Sequence, residues 1–115
     1  VDPGDMAPAV LSRAAFTHLK VPAGALKKRD LPRPLDWIVL DMNLAPPVSL
    51  RYLERAVGPS VRSLRGCILT LKLNHPELAD EIPRYLARVR AMGFTEVRAA
   101  HLPSNAREIC VVGLR

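Results

Sequence analysis

The sequence holds 115 residues, 49% of them hydrophobic, which is enough for one globular core and too few for two domains. Aromatic residues make up only 4%, so the core must rest on leucine, valine, isoleucine and alanine, and a formal net charge of +6 points to an acidic partner such as nucleic acid. The longest apolar runs fall far short of the roughly 20 residues that cross a bilayer, and no charged-then-apolar signal segment opens the chain, so the expectation is a cytoplasmic protein with no membrane partner.

Val1-Asp2-Pro3-Gly4 reads as the end of a strand followed by a turn, and Met6 to Ala14 as a short helix with Asp5 as its N-cap and Pro8 tolerated in the first turn. Phe16 to Val21 alternates apolar and polar residues, the pattern of a half-buried strand that Pro22 and Gly24 end. Residues 23–34 carry Lys27, Lys28, Arg29 and Arg33 among prolines and read as an exposed connection, whose cations are suited to RNA phosphate. Leu35 to Met42 is a continuous apolar run up to Asp41, as expected of a central strand covered on both faces. Pro46-Pro47 opens a helix through about Val57, with Leu50, Leu53 and Val57 on one face and Gly58 as its stop.

Gly66 to Leu73 is a second buried strand, and a helix follows from about Leu78 to Met92, with Pro83 near its first turn and Gly93 at its C-terminus. Phe94 to His101 and Arg107 to Leu114 are the last two strands. The five residues Leu102 to Ala106 between them are too few for a parallel crossover, so these strands should be antiparallel neighbours. Strands alternating with helices indicate an α/β protein, a Rossmann-like sheet with helices on both faces and an antiparallel last strand. Cys67 and Cys110 lie inside apolar runs and read as small hydrophobes of a reducing compartment, not as a disulfide or metal ligands.

Three ionisable residues interrupt the strands. Asp41 and Lys72 lie at the C-terminal ends of their strands, and Glu108 lies at the start of the last one. If that strand runs antiparallel, the three meet on one rim, where open α/β sheets bind ligands. Asp2, ending its own strand, points to the same rim. Burial alone would depress the pKa of Lys72, and the two carboxylates would raise it again. A buried ion-pair network that only holds the rim together is the plainer alternative.

In order along the chain, Val1-Asp2-Pro3-Gly4-Asp5-Met6, Thr17-His18-Leu19, Trp37-Ile38-Val39-Leu40-Asp41-Met42 and Leu71-Lys72-Leu73 resemble motifs of the FtsJ-like ribose 2′-O-methyltransferases. The pattern is most similar to the RlmM-type enzymes that act on large-subunit rRNA. Asp41, Lys72 and Glu108 resemble the last three members of that family's Lys-Asp-Lys-Glu tetrad. The resemblance implies S-adenosyl-L-methionine as cofactor and RNA as partner. It implies that Asp2 contacts the adenosine portion of the cofactor, that Asp41 lies near its methionine portion, that Lys72 accepts the 2′-hydroxyl proton, and that Glu108 orients Lys72. His18 is expected to be structural, and His75, which follows the Lys72 strand, is a lesser candidate for the site mouth. Two departures stand out: Lys20-Val21-Pro22 replaces an acid of the family, and neither the family's glycine-rich loop nor its first lysine is present.

The resemblance therefore places residues 1–115 in the C-terminal part of one methyltransferase domain, with the first strand and the glycine-rich loop outside it. A sheet incomplete on that side would leave the strand at 16–21 without a neighbour and would expose the edge of the Trp37 strand to edge-to-edge association. The fragment alone is not expected to turn over. A non-catalytic Rossmann-like RNA-binding or interaction domain, which keeps the rim residues for stability, is the second functional reading.

Overall fold

The computed structural model describes residues 1–60, 62–103 and 107–115. They form two compact units, Val1–Leu31 and Pro32–Arg115. The second unit contains the sheet. Its strands are β1 (Trp37–Leu40), β2 (Gly66–Lys72), β3 (Glu96–Ala100) and β4 (Glu108–Leu114), in the spatial order β1-β2-β4-β3. β1 and β2 are parallel, whereas β4 runs antiparallel to both β2 and β3. The chain is thus a mixed α/β protein, and the antiparallel pairing of the last two strands agrees with their short connection, of which residues 104–106 lie outside the described residues.

The core forms where two helices meet the sheet. Helix α2 (Pro46–Ser60) buries Leu50, Leu53 and Val57, and α4 (Ile82–Ala91) buries Tyr85 and Val89. They pack with Ile38, Cys67, Leu69, Leu71, Val97, Ile109 and Val111 from alternate strand positions. Leu50, Leu53, Leu69, Leu71, Val89 and Val111 are completely buried, and each such side chain contributes roughly 1.5–3 kcal/mol of hydrophobic stabilisation. Phe94, at the turn into β3, is also buried in this cluster. At the end of α4 the backbone turns at Gly93, whose φ of 95° suits a residue without a Cβ. The Arg115 guanidinium donates to the Met92 carbonyl oxygen there and lies over the Phe94 ring.

The structure corrects several sequence-based expectations. β1 is not covered on both faces: Trp37 is 45% and Val39 65% exposed, because α2 and α4 cover the face of Ile38 and β1 is an edge strand. Gly58 does not stop α2, which runs on through Pro59 to Ser60. Pro59 has no N–H to donate back to the preceding turn, and the helix ends one residue after it. The helix expected over 78–92 is divided into α3 (Glu77–Asp80) and α4, and Pro83 takes one of the first two positions of α4, where its missing N–H is not needed.

In the first unit, the helix expected over 6–14 shrinks to α1 (Pro8–Leu11), a single turn with no side-chain cap. Asp5 instead pairs with Lys20. Phe16 to Val21 is not a strand. An extended segment becomes a strand only when a neighbour takes up its backbone groups, and here the ordered backbone bonds are Asp2 N–H to Leu19 O at 3.2 Å and Val21 N–H to Leu19 O at 2.8 Å. Short 3₁₀ turns at Ala23–Ala25 and Lys28–Asp30 shape the basic connection.

Candidate functional site

The register of β2 against β4 pairs Lys72 directly with Glu108, in the same ladder that pairs Thr70 with Cys110 and Ile68 with Val112. Residues paired across strands share a face, so all six lie on the sheet face opposite the helices. The Lys72 ammonium donates to a Glu108 carboxylate oxygen. Their side chains are 22% and 20% exposed, so the contact is largely screened from bulk water without being sealed off. One rung further out, Leu73 N–H donates to the Arg107 carbonyl oxygen at 2.6 Å, so the ladder extends past the ion pair and holds both backbones in place.

Asp41 follows directly on β1, whose last paired rung is Leu40 with Leu69. One further step aligns it with Thr70, and strand alternation gives it the parity of Trp37 and Val39, the face that carries Lys72. It is exposed, and its charge reaches Lys72. The hydrogen bond to Glu108, with the Glu108 and Asp41 charges added, raises the Lys72 amine above the ordinary lysine value, while desolvation opposes the rise. The amine is therefore an ammonium throughout the physiological range.

The three residues expected on one rim thus share the sheet edge where β1 and β2 end and β4 begins, with Lys72 and Glu108 in contact and Asp41 near enough to act through its field. Asp2 belongs to the first unit, in an Asx turn where its carboxylate accepts from the Gly4 N–H at 2.6 Å, and it ends no strand. His18 has a structural role in the same unit, its Nε2–H donating to the Asp2 carbonyl oxygen at 2.8 Å. His75 is exposed in the segment after β2.

Sequence reading passed over Thr70 and Cys110. They form the next row on the Lys72 face, and the signal was available: each lies two positions inward from Lys72 or Glu108 along its strand. The two thiols differ sharply. Cys67 faces the helices, is fully buried, and has its pKa pushed up to about 11 by desolvation. Cys110 is half-buried on the opposite face.

A group such as S-adenosylmethionine needs carboxylates for its hydroxyl and ammonium groups and a close backbone approach. Asp41 supplies one accessible carboxylate at the strand ends. Residues 1–115 contain no glycine-rich turn after a strand. The fit is therefore confined to that acidic contact.

A shallow depression lined by Pro47, Glu81, Arg84, Tyr85 and Arg88 lies between α2 and α4, on the opposite side of the sheet from Lys72. Its arginines are already engaged, Arg88 with Glu54 and Arg84 with Glu81. Among the described residues, no helix is long and apolar enough to cross a membrane. No protein-family model matches this chain, and no curated protein is significantly similar to it.

Proposed function

We propose that this chain belongs to a Rossmann-like domain that transfers a methyl group from S-adenosylmethionine to a ribose 2′-hydroxyl of RNA, with large-subunit rRNA as the substrate class. The reading is carried by one observation: a lysine and a glutamate from antiparallel strands meet at the sheet rim, with an aspartate beside them. The ordered motifs described above and the net charge of +6 support it.

When bound, S-adenosylmethionine supplies an electrophilic methyl carbon on a sulfonium. The work left to this chain is alignment and proton management. Asp41, exposed at the end of β1, would hold one of the cofactor's polar groups. Glu108 fixes the Lys72 Nζ and keeps it charged, so the ammonium donates to the 2′-oxygen and holds it in line. To act as proton acceptor at Nζ, Lys72 must first release its own proton to Glu108 or to solvent as the substrate enters.

The raised amine pKa favours a second reading, in which the Lys72–Glu108 pair only clasps the β2–β4 ladder of a non-catalytic RNA-binding domain. Methyl incorporation from labelled cofactor into rRNA separates the two. The assay uses the complete polypeptide that contains residues 1–115, together with its Lys72→Ala and Lys72→Arg variants. On the first reading both variants lose incorporation, Lys72→Ala by roughly 100- to 10,000-fold. Equal incorporation by wild type and Lys72→Ala removes Lys72 from the mechanism.

A further inference from the structure

At the end of the sheet opposite the Lys72 rim, the only tryptophan of the chain lies across a glycine. Trp37 pairs with Gly66 in the β1–β2 register. A Cβ on Gly66 would fall 2.4 and 2.7 Å from two carbons of the indole, so the ring occupies the space that a side chain at 66 would take. The indole thereby lies against Gly66, and the residue remains 45% exposed. Beside it on the same face is Val39, 65% exposed. This is an aromatic surface that meets water, in a sequence with only five aromatic residues.

Its surroundings are cationic. Arg33 leads into β1, and Arg62 and Arg65 lie in the turn before β2, which Ser63 ties to the Leu35 backbone at 2.8 Å. A nearby acid, Asp36, pairs with Arg65 at 3.3 Å. Arginines therefore outnumber carboxylates around the ring, and an anionic partner is matched to the patch.

We infer that this end of the sheet binds single-stranded nucleic acid, with a base stacked on Trp37 and the flanking phosphates held by Arg33, Arg62 and Arg65. Stacking is sequence-tolerant because every base has a π-face, and cations beside an aromatic platform follow the backbone. The patch is roughly 20 Å from Lys72, the rise of β2 between Gly66 and Lys72. It uses none of the rim residues. A protein segment or a second copy would also cover an apolar ring, but neither accounts for the excess of arginine.

Because Trp37 is the sole tryptophan, its fluorescence reports on the patch directly. The 115-residue chain is titrated with an oligouridylate at low salt, in parallel with binding of a fluorescein-labelled oligomer followed by anisotropy. The expected result is quenching that saturates with RNA and weakens steeply as salt rises. Trp37→Ala should lower affinity roughly 5- to 150-fold and Trp37→Phe much less. Arg62→Ala should reduce the salt slope by about one phosphate. Unchanged fluorescence at saturating RNA, or full affinity in Trp37→Ala, overturns the inference. So does a spectrum that shifts with protein concentration alone, because a second copy would then occupy the ring.

Discussion

Lys72 and Glu108, thirty-six residues apart in sequence, are direct partners across the β2–β4 ladder and share a hydrogen bond on the sheet face that α2 and α4 leave uncovered. The pair has a measurable signature because its main effect is on the lysine. Replacing Glu108 with glutamine removes the contact and the charge that raise the Lys72 amine, so its pKa should fall toward 10.5, the value of an unperturbed lysine. Titration of ¹³C-methylated lysines by NMR reads this shift. An unchanged Lys72 titration would assign the rise to another group.

The same linkage has a sign in stability. Lys72 has a higher pKa folded than unfolded, so its contribution is fully present below about pH 10 and is lost as pH rises through the folded value. The stability difference between wild type and Glu108→Gln should hold constant from neutral pH upward and shrink only under strongly alkaline conditions. Urea denaturation across that range checks it.

Core position, and not hydrophobicity alone, sets the effect of truncation. Leu69 is completely buried between the helices and the sheet, and Leu69→Ala should destabilise by about 2–5 kcal/mol. Val39, two-thirds exposed on the neighbouring strand, should change stability by no more than about 0.5 kcal/mol when replaced by alanine. Chemical denaturation of both variants tests the assignment of the two faces.

The two cysteines should separate cleanly with a thiol reagent. Cys110, half-buried on the open face, should react in the native protein. Cys67, buried with its thiol pushed up to about 11, should react only on unfolding. One fast equivalent and one released by denaturant is the expected result, and peptide mapping identifies which is which.

Gly66→Ala places a methyl group against the Trp37 ring and 2.9 Å from the Gly113 carbonyl oxygen. The indole can swing away but the backbone oxygen cannot, so a loss of about 1–3 kcal/mol is expected, together with a red-shifted tryptophan emission as the ring moves into water. Stability and emission both unchanged would mean that the ring does not rest on Gly66.

Much of the second unit was legible in the residues. The apolar runs at 37–40, 66–72 and 108–114 are strands, and the short connection before Glu108 fixes the antiparallel pairing. A chain reversal that short leaves the backbone little choice. With the direction of β4 set, the meeting of Lys72 and Glu108 could be anticipated, because it depends only on strand ends. The first unit was not legible. Phe16 to Val21 has the alternation of a strand, but alternation records which side chains prefer water and says nothing of whether a neighbouring backbone is present to pair with.

The sequence by itself determined where strands and helices begin in residues 35–115 and which charged residues lie at their ends, since hydrophobic period and turn chemistry are local. Only the tertiary structure decided that β1 is an edge with Trp37 and Val39 in water, that Thr70 and Cys110 border the ion pair, and that Lys72 is held as an ammonium. Burial, register and proton affinity depend on groups far apart in the chain, and only folding brings those groups together.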